Sequence, residues 1–419
     1  MSQFRFARIG LLLAAIGFNT APAVFGVAAP AYAAGEQQAL RPEVGKPLQA
    51  AQELYKAHKY KEALARVREV DSIGGKTPSE IYTIERMRAA IAAAAGETGV
   101  AIKAFEALVE SGKLSAEEQL KFVNALGGLY YQQKDYPKAI DWWQRYFKDG
   151  GDDPKVRNVL NQTYYLAGDY ARAQKEIGAD VAADEKAGRT PTEEQLQLLA
   201  NCALKQNDKA GYVQAIERLV AYHPKKEYWS DLINSVHSKP GFSDRLALDV
   251  YRLKLAIGQM QNAGEYMEMA QLALQAGFPA EAAKVVEQAY KAGVFGSGPE
   301  ADRQKRLRDL ANKQAADDQK TMAQGEADAQ KARDGIGLVN LGYAYVTAGQ
   351  ADKGIALMEQ GVKKGGMKRP DDAKLHLGIA CLQAGRKAEA LQVLKSVQGS
   401  DGTADLARFW ILQAGRSAG

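Results

Sequence analysis

Residues 125–143, ALGGLYYQQKDYPKAIDWW, align without a gap on residues 159–177, VLNQTYYLAGDYARAQKEI, at an offset of 34 residues. Leu126 falls on Leu160, Tyr130 and Tyr131 on Tyr164 and Tyr165, Asp135-Tyr136 on Asp169-Tyr170, and Ala139 on Ala173. The pattern returns in NLGYAYVTAGQADKGIALM from Asn340 and HLGIACLQAGRKAEALQVL from His376, and more loosely from Ala50 and from Met269. Self-similarity at a fixed period of this size marks a repeat architecture. Each unit reads as two helices. Val123, Leu126, Gly127 and Tyr130 recur on one helical face, a Lys-Asp-Tyr or Gly-Asp-Tyr turn interrupts the run, and Ala139, Ile140, Trp143 and Phe147 form a second amphipathic stretch. Small residues such as Gly127, Ala139, Gly342 and Gly354 are expected where the paired helices cross. Gly168, Gly277, Gly349 and Gly385 are expected in the turns, where a left-handed backbone is needed.

Composition agrees with this reading. The chain has 419 residues, 46% hydrophobic and 25% charged, which excludes a disordered protein. Its 40 glycines exceed an average share, and the turns and crossings account for much of the excess. A formal charge of +5 gives no sign of polyanion binding, so no nucleic-acid partner is expected. Two cysteines exclude a disulfide-dense scaffold. Cys202 and Cys381 fall in first helices five units apart, too distant for a bridge.

The units resemble tetratricopeptide repeats (TPR). The resemblance rests on the Leu-Gly pairs Leu126-Gly127, Leu341-Gly342 and Leu377-Gly378, on the aromatic three residues on, and on the small residue opening the second helix. Tyr146 departs from the pattern by replacing a small residue. The proline after the second helix is present at Pro224 and mostly absent elsewhere. Units starting near 44, 82, 120, 154, 193, 226, 263, 297, 335 and 371 tile the chain. The expected fold is therefore all-α: about ten TPR-like helix pairs and a short C-terminal helix, in a solenoid whose right-handed superhelical sense is implied by the resemblance.

The expected organisation is a signal peptide over 1–33, a main array over 34–296, a charged degenerate helical pair over 297–334, a C-terminal repeat pair over 335–404, and a terminal helix and tail over 405–419. Arg5 and Arg8 before the apolar run 9–18, then Ala31-Tyr32-Ala33, describe a secretory signal cleaved after Ala33. The expected location is the periplasm or outside the cell, with no integral membrane segment in the mature chain. Residues 298–335 carry eight basic and eight acidic residues but only Leu307, Leu310 and Met322 as large apolar ones, which predicts a weak joint. In the terminal helix, docking on the tenth unit would bury Phe409 and Leu412. The rival reading leaves Trp410 and Leu406 exposed to meet a second subunit and form a homo-oligomer.

Catalytic chemistry finds no motif. His58, His223, His237 and His376 are scattered without a metal-ligand partner at i+4, and no hydrolase, metalloprotease or phosphate-loop signature occurs. No catalytic residue, metal or cofactor is expected. Trp142, Trp143, Tyr146 and Phe147 read as core between repeats. The candidate ligand-binding residues are Lys121, Asn124 and Tyr131 with Lys155, Asn158, Gln162 and Tyr165, which share the first-helix face opposite the buried stripe. The resemblance implies that this face lines a concave groove receiving peptides. Ammonium and amide donors there suit a carboxylate. An ordinary solvated helix face is the rival reading. The expected function is a non-enzymatic exported scaffold that binds protein or peptide segments, serving cell-envelope assembly or trafficking. Polysaccharide handling on the same fold, or an enzyme with a site built across repeats, are the alternatives.

Overall fold

The computed structural model describes residues 40–416. The expected signal segment and its cleavage at Ala33 lie outside the described residues. All regular structure among the described residues is helical. The first units are α1 (Pro42–Lys56) with α2 (Tyr60–Glu69), α3 (Pro78–Ala95) with α4 (Thr98–Glu110), and α5 (Ala116–Gln132) with α6 (Tyr136–Lys148). Next come α7 (Pro154–Leu166) with α8 (Tyr170–Lys186), α9 (Glu193–Lys205) with α10 (Lys209–Tyr222), and α11 (Lys226–His237) with α12 (Ala247–Ala256). Then follow α13 (Ala263–Gln275) with α14 (Pro279–Lys291), and the single helix α15 (Ala301–Lys331). The chain continues with α16 (Ile336–Thr347) and α17 (Ala351–Lys364), α18 (Pro370–Gln383) and α19 (Lys387–Leu394), and ends in α20 (Thr403–Arg416).

The third unit shows why these residues fold this way. Ser115 accepts from the Glu118 backbone N–H while the Glu118 carboxylate accepts from the Ser115 N–H, so two otherwise orphaned donors are satisfied at the start of α5. Val123, Leu126 and Tyr130 are then buried along one face, and Ala139, Ile140, Trp143 and Tyr146 answer them from α6. The reversal between the helices uses a left-handed residue: Gly168 at φ 83° in the fourth unit, and at the matching position of the third, Lys134 at φ 61°. Trp143 lies directly over Gly127, where an added Cβ would stand 2.5 Å from the indole Nε1. In the unit of α16 and α17 the approach is backbone to backbone. A Cβ on Gly342 would stand 2.5 Å from the Gly354 carbonyl oxygen, and one on Gly354 would strike the Gly342 oxygen. Tyr146, the bulky departure from the repeat pattern, is accommodated by Gly151, over which its ring lies so closely that no Cβ would fit there.

Two compact units divide between Ile177 and Gly178, inside the expected main array 34–296. Two expectations for the second unit need correction. Residues 297–334, read as a degenerate helical pair, contain one continuous helix of 31 residues. Its buried positions are Gln304, Leu307 and Ala311 near one end and Met322 and Ala329 near the other, with no reversal between them. The only internal glycine, Gly325, sits within the helix, so no left-handed turn interrupts it. The terminal helix is not an open surface either. Leu406 and Phe409 are 0% exposed and Trp410 is 3% exposed, so the reading in which Trp410 and Leu406 face a second subunit does not hold. Helix α20 packs on its neighbours α18 and α19 and also on α10 and α12, which buries Phe409 as docking predicts but leaves Leu412 half-buried.

Candidate functional site

The seven candidate residues lie on α5 and α7 of the first unit, but in different circumstances. Lys121 is exposed and its ammonium lies 2.6 Å from Glu117, one turn back on the same helix. Asn124 is half-buried, and its Oδ1 accepts from the Trp143 indole N–H at 2.9 Å. That amide therefore secures the core tryptophan rather than presenting a donor to solvent. Tyr131 is half-buried, its ring 5.7 Å from Tyr136 and 5.9 Å from Trp143. Burial, then the neighbouring Tyr136, pushes its hydroxyl above the ordinary phenol range. Tyr165 repeats the arrangement against Tyr170 at 5.2 Å. Lys155 and Asn158 are exposed on α7, and Gln162 is half-buried between them and Tyr165. The helix itself is started by Asp153, whose carboxylate accepts from the Lys155 backbone N–H at 2.8 Å and leaves the Lys155 side chain uncommitted to the cap. The face thus offers Lys121, Lys155 and Asn158 over a floor of half-buried tyrosines.

The expected core aromatics divide as well. Trp143 and Tyr146 are buried, whereas Trp142 and Phe147 are half-buried under Arg145 and Arg157, at 5.3 and 4.6 Å from the ring centroids. Such stacking covers an apolar ring while leaving the guanidinium wet.

Sequence reasoning missed the densest polar constellation, which lies in the second unit. Arg252 of α12 is 3% exposed, and its Nε and Nη2 reach the two Glu281 oxygens of α14 at 2.8 and 2.6 Å. Its Nη1 reaches Asp249 at 2.7 Å, and its guanidinium stacks 4.4 Å from the Tyr343 ring of α16 and 5.3 Å from Phe278. His376 of α18 places Nε2 3.0 Å from the same Asp249. Burial by itself would raise the Asp249 carboxyl, but the facing His376 and Arg252 outweigh it and hold it well below the ordinary carboxylate range. Burial likewise disfavours the Arg252 cation, and Glu281 with Asp249 more than restores it. Every charge here has a bonded opposite, which is the arrangement that makes buried ions tolerable. The only hint in the sequence was that Asp249, Arg252 and Glu281 fall at positions where their helices are otherwise apolar.

The other histidines and the two cysteines lie apart from this cluster. His58 Nδ1 meets Tyr60 Oη at 2.6 Å, His223 Nε2 meets the Pro191 carbonyl at 2.8 Å, and His237 packs edge-on against Phe242. Cys202 and Cys381 are buried free thiols, pushed up by burial to about 12 and about 11. Such thiols are inert at neutral pH. Among the described residues no group of three or more His, Cys, Asp or Glu side chains is placed to hold a metal ion, and no helix is long and apolar enough to cross a membrane.

A family model for the tetratricopeptide repeat matches residues 86–154 and 339–405. No curated protein sequence is significantly similar to the chain. Among solved structures, a tetratricopeptide repeat protein from Parabacteroides merdae is similar at 9% identity and TM-score 0.31, over 81% of this chain and 99% of that one. A thermophilic TPR protein from Thermus thermophilus is similar at 17% identity and TM-score 0.24, over 45% of this chain and 99% of that one. The TPR2AB domain of yeast Sti1, solved in complex with a pHSP90, is similar at 15% identity and TM-score 0.25, over 64% of this chain and 98% of that one.

Proposed function

Since the chain is a tetratricopeptide-repeat protein, we propose that it is a non-enzymatic scaffold whose first unit binds an extended protein segment carrying carboxylates. The observation that carries this is the α5–α7 face, where Lys121, Lys155 and Asn158 stay exposed at related positions of successive repeats. A peptide carboxylate would be held by the two ammonium groups and the Asn158 amide, with Tyr131 and Tyr165 giving apolar contact beneath. Asn124 is left out of the binding set because its carbonyl oxygen serves Trp143. The N-terminal sequence supports export to the periplasm, and the proposed setting is handling of cell-envelope proteins.

The test is direct. Acidic peptides titrated onto the mature chain should bind, and Lys121→Glu with Lys155→Glu should weaken that binding by at least about tenfold, a loss of roughly 1.4 kcal/mol. Helix content should not change. Equal binding by the double variant would reduce the face to a solvated surface. Export is checked by fractionating cells that express the full chain: a mature species beginning at Ala34 in the periplasm is the expected result.

A further inference from the structure

Matching connectors of the two compact units carry opposite charge. Aligned on the proline that opens the next helix, residues 148–154, KDGGDDP, stand against residues 364–370, KGGMKRP. Asp152 and Asp153 are thereby replaced by Lys368 and Arg369. Asp153 is the N-cap of α7, and its carboxylate accepts from the Lys155 backbone N–H at 2.8 Å. Arg369 holds the N-cap place of α18 and makes no side-chain cap bond. A cation there forgoes the cap and also meets the positive end of the helix dipole. Nothing in the helix rewards an arginine at this position.

Arg369 belongs to a cluster of six exposed cations. Lys331 ends α15, Arg333 follows in the connector to α16, Lys363 and Lys364 end α17, and Lys368 precedes Arg369. Two loops bring them together. The Gly335 N–H donates to the Gly365 carbonyl at 2.8 Å, and a Cβ on Gly366 would stand 3.2 Å from the Asp334 Cβ. The Lys364 ammonium reaches the Gln330 carbonyl at 2.9 Å, which ties the end of α17 to that of α15. None of the six forms an ion pair among the described residues, whereas the bordering carboxylates are committed. Asp334 accepts from the Ile336 N–H at 3.1 Å, and Asp371 pairs with Lys374 at 3.0 Å. Asp372 pairs with Arg245 at 2.7 Å, in the seam between residues 239–256 and 372–408. Lys331, Lys363 and Lys364 complement the negative ends of their helices. Arg333, Lys368 and Arg369 lie beyond helix ends and have no such reason. Ile336, 43% exposed, stands at the same edge, next to Gly335.

We propose that this edge of the second unit is a peripheral docking surface for an anionic lipid bilayer. Each Lys or Arg near a negatively charged leaflet is attracted to it, and the contributions accumulate over a cluster. Six cations spread over two joined loops match a field of headgroups rather than one phosphate. Ile336 supplies apolar contact at headgroup level. The formal charge of +5 conceals the surface, because acidic connectors such as residues 149–153 offset it in the total. The inference goes beyond peptide binding by the first unit and does not depend on it.

The test uses the full mature chain and vesicles of equal parts phosphatidylglycerol and phosphatidylcholine. The chain should sediment with these vesicles and stay in solution with vesicles of phosphatidylcholine alone. Lys368→Asp with Arg369→Asp, which reproduces the Asp152-Asp153 connector, should weaken binding at least about tenfold. The same variant should unfold at no lower urea concentration than the parent, because α18 regains a cap. Should it fold poorly, Lys331→Gln with Arg333→Gln on the other loop decides, with the same expected loss. Lys121→Glu with Lys155→Glu should bind vesicles as the parent does. Unchanged binding by a folded loop variant, or equal binding to neutral vesicles, overturns the proposal. So does an equal loss in the Lys121 and Lys155 variant, which would move the contact to the first unit. Inorganic phosphate that displaces the chain more than sodium chloride of equal ionic strength also overturns it, in favour of a discrete phosphate site.

Discussion

The two units are built from the same helix pair, yet they hold polar groups in opposite ways. In the first, Asn124 bonds to Trp143 within one pair, and Arg41, at the start of α1, bonds to the buried Glu80 of the adjacent pair across 39 residues. Glu80 is also the N3 partner of Thr77 in the capping box of α3, and hydrogen bonds from Arg41 and the Thr77 N–H hold its carboxyl down at about 2. In the second, Arg252, Asp249 and Glu281 are buried together and joined to His376 more than a hundred residues away. Local patterning is enough to make a stack. Closing a stack on itself needs charges placed for partners that the repeat does not specify.

The sharpest way to break this contrast is Arg252→Ala. It leaves the Asp249 and Glu281 carboxylates buried without their cation, so about 3–5 kcal/mol should be lost. Amide exchange followed by mass spectrometry should show the loss in residues 178–416 and leave residues 40–177 as protected as before. Equal loosening of both would mean that the units do not fold separately.

Gly354→Ala comes next. Its methyl would meet the Gly342 carbonyl, a backbone atom that cannot rotate away, and overpacking of this kind costs about 1–3 kcal/mol. Gly127→Ala meets the Trp143 ring instead, and a side chain has more ways to yield. Urea unfolding of the two variants should therefore rank Gly354→Ala as the more damaging.

Acid should weaken the seam within the second unit. Asp401 is held at about 2, through the Thr403 hydroxyl and, against the cost of burial, Arg245. Its lowered value means that its contribution is fully present above the ordinary carboxylate range near 3.8 and is lost as pH falls toward 2. Asp249 has the same sign, its own lowered pKa marking where its contribution ends. Thermal melts between pH 5 and pH 2 should show the seam between residues 239–256 and 372–408 opening on the acid side. A seam most stable at the acid end would contradict the assignment.

The smallest expected change is a gain. Lys134 adopts φ 61°, a conformation that costs a side-chain-bearing residue about 1 kcal/mol. Lys134→Gly should stabilise the first unit by up to that amount, whereas a glycine already occupies the matching turn at Gly168. The midpoint of urea unfolding should rise without a change in slope.

Much of this molecule could be read from its residues, for a physical reason. A left-handed turn residue, a small residue at the crossing and an aromatic three positions away are local demands of a helix pair, and local demands leave periodic marks. The unit starts near 154, 193, 226 and 263 fall within one residue of α7, α9, α11 and α13. Residues 297–334 misled because charge content says how little a segment buries and nothing about whether it reverses. The absence of a glycine-bearing turn before Gly325 was the usable signal. Exposure on the proposed face was legible at Lys121, Lys155 and Asn158, where it follows from helical phase. It was not legible at Asn124, because Trp143 lies 19 residues ahead and its indole N–H could have turned elsewhere. The Arg245 and Arg252 contacts left no periodic mark at all.

The pairing of Tyr146 with Gly151 bears on modularity. Counted column by column, the tyrosine is an oversized residue in a small-residue slot and the glycine is mere loop. In space they form one filled volume, so size has been exchanged between two positions five apart rather than added. A graft that moved α5 and α6 into another array and stopped at Lys148 would leave the ring facing a foreign Cβ. The transferable module therefore extends through residue 151, and its natural seam lies in the connector before α7 rather than at the end of a helix.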